Sequence, residues 1–182
     1  MVYRFTIISD EVEDFMREIK IDADATFLEL HKIILASCGY ADDQMTSFSI
    51  CEIGWEKVQD VTLEKMDTDS DEDSFVMADT LLSDLLEDEK QHLIYTFDPL
   101  TDRCFFMELS EIITGKSLKA GKVSRSMGEA PQQLIDFDEM LAKAPIVTTT
   151  LLDDDDDDDL YGSDISDEEI NFEGLDISDG EF

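Results

Sequence analysis

The chain has 182 residues, 42% hydrophobic and 9% aromatic, and a formal charge of -34 from 47 acids and 13 bases. That length and apolar content suit one globular domain that buries roughly 70% of its unfolded surface and needs no disulfide or metal staple. Lys143 is the last base and 15 acids fall in Asp153–Glu181, so 32 acids face 13 bases elsewhere, near -19. A field of that sign repels phosphate backbones and argues against direct nucleic-acid binding by charge neutralisation, though a local basic patch could survive.

Cys38, Cys51 and Cys104 form neither an even disulfide set nor a Cys-x-x-Cys motif, which points to a reducing compartment. The N-terminus opens on an alternating strand rather than a basic, apolar leader, and no run approaches about 18 apolar residues. The expectation is a cytoplasmic protein with no membrane segment.

Val2–Ile8 sets Tyr3, Phe5 and Ile7 against Arg4 and Thr6, the period of a half-buried strand. After a polar connection, Phe15–Ile21 places Phe15, Arg17, Ile19 and Ile21 on one face, and the two strands should form a hairpin. Thr26 and Glu29 then write a capping box, and Gly39 a left-handed stop, so the spacing predicts a helix of about three turns between them. Phe27, Leu30, Ile34 and Cys38 share one stripe, Leu28 and Leu35 widen it, and Glu29, Lys32 and Ala36 line the opposite side. This helix should lie against a sheet.

Ser47–Ile53 reads as a third strand with Phe48, Ile50 and Cys51 inward, ended or bulged by Gly54. Trp55–Met66 fits a short strand through Val58, Val61 and Leu63 about as well as a loop. Asp67–Asp73 reads as a solvated acidic loop, and Thr80 can cap a short helix through Glu87. Gln91–Asp98 and Arg103–Ile113 alternate as strands across a Pro99 turn, a second hairpin. Thr114–Ala130, with three glycines and a local excess of bases, reads as a mobile loop and the one place where an anion could settle. Pro131 with Leu134, Phe137, Met140, Leu141 and Ala144 predicts a last helix closed by Pro145. The fold class is α+β, a mostly antiparallel sheet packed on a central helix. Residues 1–147 form the domain, and 148–182 a disordered acidic tail without a packing period.

The run from Met16-Arg17-Glu18-Ile19 through Thr26-Phe27-Leu28-Glu29-Leu30-His31 to Ile33-Ile34 resembles the root-inducing-plasmid open-reading-frame-three-like family, also catalogued as an insertion-element passenger protein. In that family a Trp-Arg-Arg-Ile strand leads through Ala-Thr-Phe into a helix carrying Leu-His and two isoleucines. Met16 stands at the tryptophan and Glu18 at the second arginine. Tyr95-Thr96-Phe97-Asp98 resembles the family's later Tyr-Asp-Phe-Gly-Asp strand end, and Gly128-Glu129-Ala130-Pro131 its Gly-x-x-Cys-Pro-Pro-Glu-Asp-Cys loop, without the cysteines. The resemblance spans roughly residues 3–133 and implies an α+β fold with no established activity. A resolvase label sometimes attached to the family needs a nucleophile in an arginine-rich site, and this chain has four arginines, none clustered.

His31 falls within the helix's apolar arc. One reading makes it a pocket residue with Tyr95 and Asp98, between the first helix and the 91–113 hairpin; the other makes it a core histidine satisfied by one backbone hydrogen bond. Burial would lower its pKa. His92 is the one other imidazole, so no histidine metal set is visible. Asp67, Asp69, Asp71 and Asp73 imitate the opening of a calcium loop, but Glu72 and Ala78 stand where glycine and a bidentate glutamate are required. No cofactor or metal is expected. No serine or cysteine has an elbow or phosphate-loop context, so a non-enzymatic protein is expected. Asp164-Ile165-Ser166-Asp167 recurs as Asp176-Ile177-Ser178-Asp179, and Phe172 and the terminal Phe182 follow. Acid interspersed with single apolar residues is the composition of a docking segment, with Ile165, Phe172, Ile177 and Phe182 as anchors for a basic, apolar groove. The Asp-Gly-Glu-Phe ending is similar to the acidic, phenylalanine-terminated tips of bacterial single-stranded-DNA-binding proteins. The expected partner is therefore a basic protein, with nucleic-acid-handling proteins as one such class.

Overall fold

The computed structural model describes residues 1–52, 54–65 and 75–135, all within the first of the chain's two units, Met1–Lys143. The alternating N-terminal stretches form β1 (Val2–Ile8) and β2 (Met16–Asp22), an antiparallel hairpin running from Val2↔Asp22 to Ile8↔Met16. Tyr3, Phe5 and Ile7 bury alongside Phe15, Ile19 and Ile21. Helix α1 (Phe27–Cys38) begins at Thr26, whose hydroxyl accepts the Glu29 N–H at 3.2 Å while the Glu29 carboxylate accepts the Thr26 N–H at 3.0 Å. It ends at Gly39 with φ of 71°, a conformation that costs glycine little. Phe27, Leu30, His31, Ile34 and Leu35 are buried, and Glu29, Lys32 and Ala36 face water.

The remaining elements are β3 (Ser47–Cys51), β4 (Lys57–Thr62), β5 (Phe75–Val76), α2 (Leu82–Leu85), β6 (His92–Asp98), β7 (Arg103–Ile113) and β8 (Lys122–Met127). One mixed sheet in the order β5-β4-β3-β6-β7-β1-β2-β8 contains all eight strands. Every pairing is antiparallel except β4 with β5. The architecture among the described residues is therefore sheet-rich with two helices. Between β2 and β3, α1 carries the chain past the positions of β1, β7 and β6. The Phe27 ring meets Phe48 of β3 at 5.3 Å between centroids, and Phe105 stacks on Phe15 at 4.8 Å and meets Phe97, tilted, at 4.6 Å. Aromatic pairs at this spacing add roughly 0.5–1.5 kcal/mol each beyond area burial.

Four stretches depart from the expectation or sharpen it. Lys57–Thr62 is a strand, with Val61 buried and Val58 52% exposed, so one apolar residue anchors it. Thr80 does not cap α2: its hydroxyl donates to the Val76 carbonyl, and the helix starts one residue later, where the Asp84 carboxylate accepts the Leu81 N–H. Thr114–Ala130 is not wholly a loop, because β8 lies within it and pairs with β2 from Met16↔Met127 to Lys20↔Lys122. An edge strand needs only a backbone partner, so its residues carry no apolar alternation. Residues 131–135 are not helical: the Pro131 carbonyl accepts the Tyr40 hydroxyl at 2.6 Å, and the Gln133 amide clamps both backbone groups of Ala41. The rest of the expected last helix, the Asp67–Asp73 stretch and the tail lie outside the described residues.

Candidate functional site

The capped geometry of α1 fixes which residue turns toward β6. His31 Nδ1 lies 2.8 Å from the Tyr95 hydroxyl and 3.4 Å from the Thr46 hydroxyl, and its Nε2 lies 3.3 Å from Asp42 Oδ1. A carboxylate only accepts, so Nε2 carries the proton and Nδ1 accepts from Tyr95. Burial pushes the Tyr95 phenol up, which keeps it a donor. Burial also lowers the His31 pKa, against the opposing pull of the exposed Asp42 carboxylate. The histidine is neutral near pH 7 and satisfied on both nitrogens by side chains, rather than by backbone.

Asp98 does not join this pair. Its carboxylate accepts the Thr101 hydroxyl at 2.6 Å and the Leu100 N–H at 3.2 Å, closing the β6–β7 turn, and it lies 3.9 Å from Arg103 Nη1. Arg103 in turn donates to both oxygens of Glu11, at 2.9 and 2.8 Å, with its guanidinium over the Phe97 ring. His31 and Tyr95 are fully buried, and neither lines the two surface clefts described below.

The residue that sequence reasoning left without a role is Arg17. It sits on the apolar face of β2, 5% exposed, with its guanidinium over Phe15. Its Nε donates to the Ser37 carbonyl near the end of α1, and its Nη1 to the carbonyls of Met16, Met127 and Gly128. One side chain therefore ties α1, β2 and the end of β8. The signal was its position among Phe15, Ile19 and Ile21, where an arginine must spend its donors on carbonyls. Gly128 completes the joint: at φ of 62° an added Cβ would stand 2.5 Å from the Asp14 carbonyl oxygen. A second overlooked residue is Trp55, which stacks on His92 at 4.2 Å and meets the edge of Phe106 on the sheet's other face.

An open cleft of about 670 Å³ runs beside Cys51, between Glu52 and the α2–β6 connection, lined by Asp84, Glu87, Asp88, Glu89, Lys90 and His92. Asp84 is spent on Leu81, Glu89 on the Ile112 N–H and Lys90 on Glu108. A second of about 280 Å³ lies over Glu11, Arg103 and Cys104. Burial pushes the thiols of Cys38, Cys51 and Cys104 up, the reverse of what activates a nucleophile. Among the described residues no group of three or more His, Cys, Asp or Glu is placed to hold a metal ion. None of their helices is long and apolar enough to cross a membrane.

The strand order, the capped helix and the arginine that fastens both define a sheet-rich fold in which Arg17, His31, Asp98 and Arg103 are bound to other groups of the chain. The chain belongs to the plasmid pRiA4b ORF-3-like protein family, whose match covers residues 2–136. Asp153–Glu181 lies beyond the matched residues. The fold is also similar to the crystal structure of a protein of unknown function, MM3350 from Methanosarcina mazei Go1. The two align with a TM-score of 0.53 and 18% identity, over 69% of this chain and 68% of that one. No curated protein matches.

Proposed function

We propose that the protein is a non-enzymatic interaction protein whose acidic segment, Leu151–Phe182, docks on a basic partner. The observation that carries the reading is the charge pattern: 15 acids and no base in Asp153–Glu181, with the Asp-Ile-Ser-Asp repeat and the Ile165, Phe172, Ile177 and Phe182 anchors spaced among them. Acid without compensation steers encounter with a cationic surface, and single apolar side chains give such a contact its hold. A nucleic-acid-handling protein presents that kind of groove, while the acidic segment itself repels a phosphate backbone. The internal use of His31, Tyr95, Asp98 and Arg17, and thiols held in their protonated form, support a binding rather than a catalytic role. Three free cysteines fit a reducing, cytoplasmic setting.

The test is recovery of the partner by the full chain and by a chain ending at Thr150, at low and moderate salt. The proposal expects recovery to be lost on truncation and weakened by salt, which screens charges beyond about 8–10 Å. Equal recovery with and without the segment would end it.

A further inference from the structure

Strand β8 is the last strand of the sheet, and no described residue pairs with its outer edge. All six of its residues are exposed. It lies in the one stretch where the sign of the chain reverses, since residues 114–128 hold Lys116, Lys119, Lys122 and Arg125 and no acid. Register sharpens the point. Arg4 of β1 stands opposite Lys20 of β2, and Lys20 stands opposite Lys122 of β8, so three cations form a row on one face of three neighbouring strands. Arg4 has Glu111 at 3.4 Å. Among the described residues no carboxylate lies within ion-pair distance of Lys20, Lys122 or Arg125.

Like charges directly opposite one another destabilise a sheet pairing, so the row works against the β2–β8 ladder until anions neutralise it. The pairing shifts register between Glu18 and Ile19, leaving one extra residue in β8. Lys122, opposite Lys20, and Arg125, opposite Glu18, therefore share a face although they are three residues apart. An extended chain laid along the outer edge would bring alternate side chains beside both.

We propose that the outer edge of β8, which no described residue pairs, takes an acidic, extended segment of a partner protein as an added strand, with Lys20, Lys122 and Arg125 beside it. Main-chain hydrogen bonds to the open edge supply the hold, and acidic side chains on the cationic face supply the choice of partner. A second copy of this chain fits worse. Two β8 edges brought together would set Lys122 and Arg125 against their own kind, which is how edge lysines normally prevent self-pairing. The strong overall negative charge does not forbid an acidic strand, because at physiological salt charges more than about 8 Å away are largely screened and the local cations dominate the contact. This surface is separate from the acidic segment of the proposed function, and either proposal can fail alone.

The experiment titrates the full chain into a fluorescein-labelled, acetylated Glu-Val-Glu-Val-Glu-Val amide at about 0.15 M salt and follows anisotropy. Saturable binding is expected, with at least about tenfold loss for the Lys122→Glu/Arg125→Glu double variant and a smaller loss for Lys122→Gln/Arg125→Gln. The same peptide N-methylated throughout keeps its charge but loses its backbone donors, and should not bind. The proposal is overturned if the acidic peptide does not bind, if charge reversal leaves its affinity unchanged, or if the N-methylated form binds equally. It is also overturned if the full chain forms a concentration-dependent dimer that the double variant abolishes, since the edge would then belong to a second copy.

Discussion

Arg17→Met removes the side chain that fastens β8 and the end of α1 to β2. The arginine gives its Nε N–H to Ser37 and shares the two N–H groups of Nη1 among the carbonyls of Met16, Met127 and Gly128, at 2.6 to 3.2 Å. Hydrogen bonds to a charged group are worth roughly 1.5–3 kcal/mol each, so simple addition over the three N–H groups would give an upper bound of about 4.5–9 kcal/mol. Two effects reduce it. Burying the guanidinium itself costs several kcal/mol, which methionine does not incur, and the Met127 and Gly128 carbonyls at the exposed end of β8 can take up water. The net expectation is about 3 kcal/mol, the low end for breaking a buried charged contact. At roughly 2–4 °C per kcal/mol for a domain of this size, the melting temperature should fall by about 6–12 °C. Arg17→Lys should rescue little, because one ammonium cannot reach carbonyls on three elements. Hydrogen exchange by mass spectrometry should show β8 losing protection before β1 or β7. A melting temperature within about 2 °C of the parent, with β8 still protected, would refute the clamp.

Thr26→Ala should cost about 1 kcal/mol by urea titration, and Thr26→Ser should restore most of it, because the hydroxyl closes the capping box. Gly128→Ala should cost more than the usual strain of a left-handed alanine, because its Cβ meets the Asp14 carbonyl; a neutral result by thermal melt would contradict the tight joint. His31 gives a pH signature. Its folded pKa lies below the ordinary 6.5, so below that pH the unfolded chain binds more protons and acid favours unfolding. The stability advantage of the parent over His31→Gln should be constant above about pH 6.5 and shrink as pH falls, with Asp42 opposing the loss and Lys32 adding to it. Urea titrations at about pH 7.5, 6.5 and 5.5 check the sign, and an advantage that grows on acidification would contradict a buried neutral histidine.

Elements whose local chemistry and burial agree were legible in the sequence. The capping box and Gly39 fixed α1 to the residue, and period-two alternation found β1, β2, β6 and β7 because one face of each is apolar. The structure departs from expectation where another contact competes. Thr80 has the right chemistry for a cap but spends its hydroxyl on Val76. Lys122–Met127 is held by backbone pairing and by Arg17, neither of which leaves an apolar pattern. Of the expected site, His31 and Tyr95 do meet, because an aromatic on β6 faces the buried stripe of α1. Asp98 follows a register shift after Thr96 and turns to its own loop instead. The Met16–Ile34 run that resembles the family is explained by architecture, from Arg17 to the capping box.

The most direct measurement keeps the charge and removes the anchors. Ile165, Phe172, Ile177 and Phe182 are replaced together by alanine, leaving the formal charge at -34, and recovery of the basic partner is compared with that of the parent chain. The account predicts that recovery is lost although every acid remains. Full recovery by the anchorless chain would show that the segment contributes charge alone, and would contradict docking.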